Sequence, residues 1–479
     1  GAFVGGRVPT KDDVARRGCA PVRRGSAGAA RGVSSDRSAQ TLAAIRGWGG
    51  TSVMGIERQS EDLERLTRHV ALTRGLGRSY GDSSLPPPGD PIVAVSILAN
   101  RLLAFDPESG DLTAEAGYSL VDLWDTFLPR GWFTPVSPGT QFVTLGGMVA
   151  ADVHGKNHHR SGSIGGHIQA LRLRVASGAI VTCSRAVEAD LFRATIGGMG
   201  LTGHILEVTL RLERIPSPWI LGETRRIHNI GDFVTALKHA GPEWPFTMGW
   251  IDCLSRGDRL GRGVLFCGRW ATPEEAPKKF PRRLPRPVVP IVCPSWVMGR
   301  AVGRVFNSVY YRVHPEQPRR GIIHPEAFFY PLDAIRHWNR LYGRRGFTQY
   351  QCVLPEAGGV DIVRDLLDRM TRFGAASFLC VIKDCGAEGE GLLSFPRPGV
   401  SVALDIPIRD NTQQVVDGLN EFVVSVGGRI YLAKDAYTRS DHFRAMEPRL
   451  ARFEAVRRAW DPACRIRSVQ SVRLFGDQP

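Results

Sequence analysis

The sequence lacks the features that would place it in a disulfide-stapled, fibrous or membrane-spanning class. Its nine cysteines show no paired spacing and no CxxC, which argues against a disulfide framework or a zinc ribbon and fits a reducing compartment. No stretch approaches the roughly 18 apolar residues of a spanning helix, and no internal repeat is visible. With 43% hydrophobic and 23% charged residues, the composition excludes a wholly disordered chain and predicts a globular protein of several domains.

The unusual feature of the composition is its basic charge, +15 from 62 Lys and Arg against 47 Asp and Glu. Such an excess can serve nucleic acid, a membrane surface or an anionic ligand. Residues 1–40 hold eight basic and three acidic residues without hydrophobic periodicity, so we predict a disordered basic tail there. An Arg-rich transit peptide and an upstream stretch foreign to the mature protein stay open as alternatives. A secretory signal is not expected, because the segment has no apolar core.

The rest of the chain reads as a mixture of helices and strands. Alternating apolar residues predict a hairpin over 171–182 and a strand over 205–213, after which Pro216 and Pro218 mark a boundary. A second block to residue 427 mixes strands and helices in an α+β order rather than a strict βαβ alternation. The residues after Gly427-Gly428 predict one strand and one long basic helical segment. We therefore divide the chain into 1–40, 41–215, 216–427 and 428–479.

Three glycine-rich motifs lie in the first block: TRGLGRSYGD (73–82), PGTQFVTLGGMVAADVHGKNHH (138–159) and GGMGLTG (197–203). Glycine permits positive φ and close backbone approach, so such loops can present amides to a pyrophosphate. The third motif formally matches the Rossmann fingerprint, but a strand-like run follows it where the fingerprint requires a helix. A Walker A motif is absent. The pattern favours a bound dinucleotide held by something other than a Rossmann turn.

These motifs resemble those of the vanillyl-alcohol oxidase/p-cresol methylhydroxylase (PCMH-type) FAD flavoproteins. GLGRSYGD together with HGKNHH is specific to the subgroup that oxidises polyprenyl-phosphoryl ribose, and LSFP (393–396) and YLAKD (431–435) extend the match toward the C-terminus. The resemblance implies an α+β fold with a discontinuous PCMH-type FAD-binding domain, formed by 41–215 and closed by 428–479. It also implies an inserted α+β substrate domain, 216–427, built on an antiparallel sheet.

The resemblance implies FAD as the cofactor. Arg78 stands where sugar oxidases of the wider family often carry the histidine that bonds to the flavin, so we predict non-covalent FAD. The residues expected to bind it are Gly75, Leu76, Gly77, Arg78, Ser79, Tyr80, Gly81, Pro138, Gly139, Thr140, Thr144, Gly146, Gly147, His154, Gly155, Lys156, Asn157, Ile205 and Tyr431.

The resemblance also implies an FAD-linked oxidation of a sugar CH–OH group. Lys434 belongs to a predicted strand whose other residues, 430–433, are apolar, and it is the first candidate for the catalytic base. His154 and Asp405 are the next candidates. The residues expected around the substrate are Lys156, Trp250, Gln349, Gln351, Lys383, Ser401 and Lys434. His154, His158 and His159 lack carboxylate or thiolate partners at ligand spacing, so no metal site is predicted. Ser401 and Ala403 depart from the family pattern, which leaves the substrate more open than the chemistry.

The implied reaction is oxidation of the 2′-hydroxyl of a polyprenyl-phosphoryl-β-D-ribose to the keto sugar. This is the first half of an epimerisation to arabinose for cell-wall arabinan, and a short-chain NAD(P)H reductase would complete it. One alternative is an aldonolactone or alditol oxidase that uses O₂. A remote alternative is a basic nucleic-acid-binding protein, for which no basic stripe with interleaved aromatics is evident. We expect a cytoplasmic protein or one held peripherally at the inner membrane face, with peripheral membrane contact possible and no nucleic-acid partner.

Overall fold

The computed structural model describes residues 41–375 and 377–478. The tail predicted over 1–40 lies outside the described residues. The described part is an α+β fold in which antiparallel sheets carry most strands, and this confirms the fold class. None of its helices is long and apolar enough to cross a membrane.

Strands of the N-terminal half form two main sheets and a short ribbon. They are β1 (Ala43–Arg46), β2 (Ser52–Gln59), β3 (Leu72–Arg74), β4 (Ile92–Val95), β5 (Leu102–Phe105), β6 (Asp111–Glu115), β7 (Trp132–Phe133), β8 (Ile168–Arg174), β9 (Ile180–Ser184), β10 (His204–Arg211) and β11 (Glu213–Arg214).

The first sheet has the order β1-β2-β4-β3, and β4 runs parallel to both of its neighbours. The second sheet, β5-β6-β10-β8-β9, is antiparallel. Its hairpin β8–β9 pairs Arg174 with Ile180 around Gly178, whose φ of +90° suits a residue without Cβ. The predicted hairpin is therefore present, and β3 delivers the chain into the first glycine motif.

The strands after residue 216 build one eight-stranded sheet, in which every pair is antiparallel. They are β12 (Ile220–Ile227), β13 (Phe246–Ile251), β14 (Gly263–Trp270), β15 (Arg319–Ile323), β16 (Phe347–Pro355), β17 (Cys380–Cys385), β18 (Gly399–Pro407) and β19 (Arg429–Ile430). The order is β15-β12-β14-β13-β17-β18-β16-β19. Although β19 follows Gly428, it pairs with β16 of this sheet. The division at residues 215 and 427 stays a prediction.

Helices cover the sheets and the connections. They are α1 (Leu63–Leu66), α2 (Leu120–Phe127), α3 (Leu145–Ala150), α4 (His158–Ser161), α5 (Ala189–Thr195), α6 (Ile230–Ala240), α7 (Arg300–Val313), α8 (Pro325–Phe329), α9 (Gly359–Arg372), α10 (Thr412–Ser425), α11 (Ser440–Met446), α12 (Leu450–Trp460) and α13 (Val469–Phe475).

The C-terminal segment differs from the prediction of one strand and one long helix. It holds the two-residue strand β19 and three separate helices, α11 to α13. Pro448 and Pro462 explain the breaks, because a residue before proline is pushed out of the helical region. α11 and α12 accordingly end just before Glu447-Pro448 and Asp461-Pro462.

Two large apolar clusters hold the fold together. One is centred on the second sheet with α2 and α5, and it also takes in Phe328 and Phe329 from α8. The other joins the eight-stranded sheet to α6, α9 and α10 and includes Tyr431 and Leu432. Each cluster thus joins residues that are far apart in sequence. This packing holds one face of the eight-stranded sheet toward the glycine motifs.

Candidate active site

A cavity of about 830 Å³ lies between the glycine motifs and the eight-stranded sheet. Its wall takes residues from β12, β13, β14, β16, β17 and β18 on one side and from the three glycine motifs on the other. The volume is in the upper part of the range for cofactor and ligand sites. No cluster of three or more metal-ligating side chains occurs in the described ranges.

Most of the residues predicted to bind the cofactor line this cavity. They are Gly75, Leu76, Gly77, Arg78, Ser79, Tyr80, Pro138, Gly139, Thr140, Thr144, Gly146, Gly147, His154, Lys156, Ile205 and Tyr431. Gly81, Gly155 and Asn157 stand behind the wall instead. A Cβ on Gly81 would overlap the carbonyl oxygen of Asp435, and Asn157 Nδ2 donates to the Pro135 carbonyl at 2.8 Å. These three residues shape the loops that carry the lining residues.

The first glycine motif presents bare backbone to the cavity. Within the described chain, the amides of residues 76–79 donate to no backbone carbonyl, while the next amide, that of Tyr80, donates to Ala433 at 2.9 Å. Gly77 has a φ of +63°, which turns the loop back on itself. Successive free amides of this kind form a concave anion site. The motif therefore has the form of an anion site, which suits a phosphate group.

Arg78 adds a positive charge to this loop. Its guanidinium carbon lies 4.1 Å from the ring centre of Trp48 and 5.1 Å from that of Phe142. Its Nε is buried and has no partner among the described residues. Burial lowers the pKa of Arg78, and the charge of Asp333 acts in the opposite direction. An unpartnered guanidinium atom beside free amides fits the pyrophosphate of FAD, so the residues present suit the cofactor.

His154 is enclosed by aromatic rings and held as a neutral imidazole. Tyr431 and Phe395 lie 5.0 and 5.4 Å from it between ring centres. Gln351 Nε2 donates to His154 Nε2 at 2.9 Å, which places the ring proton on Nδ1, an atom with no partner in the described structure. Burial, with Lys383 next, holds the pKa of His154 well below its usual range. His154 therefore faces the cavity as an uncharged donor.

Three lysines give the cavity its charge. The chain has only seven lysines in 479 residues, and Lys156, Lys383 and Lys434 all line this one wall. Among the lysines of the described residues, only Lys238 forms ion pairs. It lies outside the cavity and pairs with Glu356 and Asp384. The Lys156 ammonium donates to the Phe329 carbonyl at 2.9 Å instead. In the described structure, three lysine amines thus line the cavity without a carboxylate in contact.

Burial changes the acidity of these lysines. It lowers the pKa of Lys156 to about 7 and the pKa of Lys434 to about 7, and it also lowers the pKa of Lys383. Asp405 raises the pKa of Lys434, while Lys383 lowers it further.

Lys434 does not lie in the strand that the sequence predicts, because β19 ends at Ile430. A turn follows, in which the Lys434 amide donates to the Tyr431 carbonyl at 2.9 Å.

Asp405 lies behind the wall, on β18. Its carboxylate accepts from Tyr342 Oη at 2.8 Å and from Gln349 Nε2 at 2.5 Å. Burial raises the pKa of Asp405 to about 6 in spite of these two hydrogen bonds. Ser401 is placed similarly, behind Gln351, whose Nε2 lies 3.2 Å from the Ser401 hydroxyl. Gln349 and Gln351 themselves line the cavity, so they connect it to both hidden groups.

Trp250 forms the far wall, where its Nε1 donates to the Phe378 carbonyl at 2.9 Å and its ring meets Tyr310 at 4.7 Å. Sequence reasoning missed Asp333, which lines the cavity and accepts from the Thr140 hydroxyl and the Gln141 amide, both at 2.8 Å. It also missed Tyr342. No motif marks either residue, and only the folded contact with predicted positions reveals them.

Comparisons with known proteins bear on the family and the cofactor of the chain. Residues 65–184 match the model of a family described as FAD binding domain. The chain is 32% identical to decaprenylphosphoryl-beta-D-ribose oxidase of Mycolicibacterium smegmatis over 442 residues, 88% of this chain and 95% of the relative. It is 33% identical to an uncharacterized Streptomyces coelicolor protein over 74% of this chain and 98% of that one. L-gulonolactone oxidase of Mus musculus matches at 33% over 112 residues, 23% of this chain and 25% of the relative.

The match to the mycobacterial oxidase covers 88% of this chain and 95% of the relative, and the family model covers the first two glycine motifs. The chain therefore belongs to the decaprenylphosphoryl-β-D-ribose oxidase family of PCMH-type flavoproteins, as an FAD-linked oxidoreductase whose cofactor is FAD.

Proposed function

We propose that this oxidoreductase acts on a phosphate-bearing sugar and oxidises the 2′-hydroxyl of a polyprenyl-phosphoryl-β-D-ribose to the ketone. The observation that carries the proposal is the set of three cavity lysines without carboxylate partners, Lys156, Lys383 and Lys434. Charging buried lysine amines is costly unless an anion joins them, and this cost lowers the pKa of all three. A phosphodiester beside the sugar supplies that charge, and the M. smegmatis relative is named for such a substrate.

The chemistry assigned to the chain's own residues is positioning and proton transfer. When bound, FAD supplies the hydride acceptor. Lys434 takes the proton of the reacting hydroxyl, because an amine with a pKa of about 7 is partly neutral near neutral pH. Gln349 and Gln351 supply amide groups that orient the sugar, and each is held from behind, by Asp405 and Ser401 respectively.

His154 contributes by staying uncharged. Its pKa is held low by burial and by Lys383, so it adds no fourth cation to the cavity. Its Nδ1 proton, unused by any described residue, is available as a hydrogen-bond donor. Of the three candidates for the base, Lys434 is preferred because Asp405 is withdrawn behind Gln349 and His154 is poorly basic. The keto product would then pass to an NAD(P)H-dependent reductase, the class of reaction that completes an epimerisation.

The test is anaerobic reduction of the enzyme-bound flavin by defined donors. We expect a polyprenyl-phosphoryl ribose to bleach the visible flavin absorbance in a single turnover, while an aldonolactone or an alditol of similar size leaves it unchanged. Bleaching by the lactone and none by the phosphoryl sugar would assign the enzyme to the soluble-sugar oxidases. β-D-Ribose 1-phosphate and methyl β-D-riboside serve as a matched pair that isolates the contribution of the phosphate.

A further inference from the structure

Helix α7 (Arg300–Val313) has its polar and apolar faces reversed. The residues it buries include Gly303, Asn307 and Tyr311, and Asn307 Nδ2 donates to the buried Asp252 carboxylate at 2.7 Å. Asp252 also pairs with Arg262 at 2.9 Å. A surface helix ordinarily turns its apolar stripe toward the core and its polar residues outward. Here the inward face is anchored by an amide and an ion pair.

The outward face of α7 is a stripe of valines. Val302, Val305, Val309 and Val313 recur at helical spacing on one face, and three of them are strongly exposed, Val305 at 66%, Val309 at 55% and Val313 at 70%. The exposed Arg312 borders this stripe, and the exposed Arg304 lies on the same side of the helix, between Arg312 and the buried Tyr311. A continuous apolar stripe in water marks an interaction surface rather than scattered surface residues.

The segment before α7 extends the apolar surface. Ile291 is 66% exposed, Trp296 is 70% exposed, and Val288 and Val292 are also exposed. The segment is anchored rather than loose: the Val289 amide donates to the Arg336 carbonyl at 3.0 Å and the Cys293 amide to the Arg340 carbonyl at 2.9 Å. Of the 21 large apolar side chains exposed in the described chain, 13 lie between residues 280 and 335. The exposure is therefore concentrated in one region.

The same region holds most of the protein's excess charge. Residues 278–345 contain 14 Lys or Arg against 3 Asp or Glu, a net +11 of the whole chain's +15. Such a combination of exposed valine and tryptophan with many arginines is typical of surfaces that lie at the boundary of an anionic bilayer. A self-contact between two copies would instead bring two such charges together, which is unfavourable.

The surface adjoins the mouth of the cavity. Phe306 and Tyr310, on the flank of α7 opposite the arginines, line the cavity, and Phe306 is itself exposed. Ile335, an exposed residue close in sequence to the Arg336 anchor, lines it too. A ligand that enters beside α7 therefore passes directly from this surface into the site.

We propose that the valine stripe of α7 and the apolar segment 288–296 dock the enzyme on an anionic lipid bilayer, with the arginines at the headgroups and the cavity mouth facing the lipid. The docking stands independently of the reaction, but it gives a lipid-linked substrate a route into the cavity without leaving the membrane. The valines and Trp296 enter the interface, and the flanking arginines provide the preference for negative charge.

Vesicle flotation with the purified FAD-loaded enzyme tests the docking without turnover. The vesicles are phosphatidylcholine alone or phosphatidylcholine with phosphatidylglycerol. We expect the wild-type protein to float with the anionic vesicles and to stay in solution with the neutral ones. The double variant Val305→Asp/Val309→Asp should lose at least about tenfold in vesicle affinity, because each carboxylate placed in the interface opposes insertion. Arg304→Glu/Arg312→Glu should lose the preference for anionic vesicles.

Val187→Asp, at an exposed valine far from α7 in sequence, is the matched control and should float like the wild type. Unchanged melting temperature and flavin content in each variant exclude misfolding. The proposal is wrong if the wild type floats with neither vesicle or if the α7 valine variant floats like the wild type. A lipid-free dimer that the valine variant dissociates would also overturn it, since the surface would then be an interface between two copies.

Discussion

The ammonium group of Lys434 lies 3.7 Å from the ring centre of Tyr80, and the Tyr80 amide donates to the carbonyl of Ala433. These two contacts join the turn after β19 to the first glycine motif across more than 350 residues of sequence. A cation over an aromatic face is stabilised without a carboxylate, so Tyr80 supports the protonated form of Lys434. Because burial lowers its pKa to about 7, Lys434 can exchange a proton near neutral pH.

Replacing Lys434 by methionine should leave the protein folded and yellow but unable to oxidise its substrate. The thioether keeps much of the side-chain volume over Tyr80 and removes the proton acceptor. We expect kcat/KM to fall by about 10²- to 10⁴-fold, the usual contribution of a general base, and the flavin to remain oxidised under anaerobic substrate. Lys238→Met, at a lysine that pairs with Glu356 and Asp384 instead, is the control. Complete bleaching of the Lys434→Met flavin would remove this residue from the mechanism.

The pH dependence of kcat/KM should report the environment of Lys434. The base must be neutral to accept a proton, so activity is expected to fall below a pH of about 7, roughly tenfold per unit. Asp405→Asn removes the carboxylate that raises the pKa of Lys434 and should move this acid limb to lower pH. Lys383→Met removes a like charge and should move it to higher pH. Shifts in the same direction in both variants would show that another group controls the limb.

The glycine motifs explain why so many of the cavity-lining residues could be predicted from sequence. A loop that offers bare amides needs glycine at fixed positions, and residues 75–80 satisfy that need within one continuous segment. The hairpin over 171–182 was predictable for the same reason, since alternation and a Ser-Gly turn are local signals. In each case the chemistry and the structure depend on neighbours in the chain.

The groups behind the cavity wall could not be predicted in this way. Asp405 is held by Tyr342, which precedes it by 63 residues, and Asp333 meets Thr140 across 193. Each is an ordinary acidic or aromatic residue until the eight-stranded sheet brings the partners together. The reversed face of α7 was also hidden, because a valine stripe at helical spacing normally predicts a buried face. Tertiary packing, not the local pattern, decides which face is exposed.

The flavin should leave the protein completely on denaturation. The resemblance to sugar oxidases places Arg78 where many of them carry the histidine that bonds to the flavin, and a guanidinium forms no such bond. We expect acid precipitation to place all the yellow colour in the supernatant, measured by absorbance after centrifugation. Colour retained in the precipitated polypeptide would point to another attachment residue in the cavity. Arg78→Lys should also weaken FAD binding by about tenfold or more, because lysine cannot supply the second guanidinium nitrogen.

Two alanine substitutions should distinguish a glycine that packs against a neighbouring loop from a glycine that has open space beside it. Gly81→Ala places a methyl group against the Asp435 carbonyl, and we expect it to destabilise the fold by about 3 kcal/mol, the upper end of typical overpacking costs. Gly139→Ala meets no heavy atom within 4 Å and should keep the wild-type melting temperature. Thermal unfolding of both apoproteins gives the comparison. Equal stability of the two variants would mean that the turn at Asp435 yields to the methyl group.

The last prediction separates phosphate recognition from catalysis. Lys383 lies on β17 among the cavity residues, with Lys156, Lys434 and His154 all within range of its charge. If it meets the phosphate, Lys383→Met should raise KM for a phosphoryl sugar by about 10- to 100-fold, as expected when a charge-assisted hydrogen bond is lost. The single-turnover rate at saturating donor should change far less, and a donor without phosphate should show little change in KM. Lys383→Arg should restore most of the affinity. An equal rise in KM for both donors would mean that Lys383 shapes the cavity and does not bind the phosphate. That result would leave the assigned oxidation untouched.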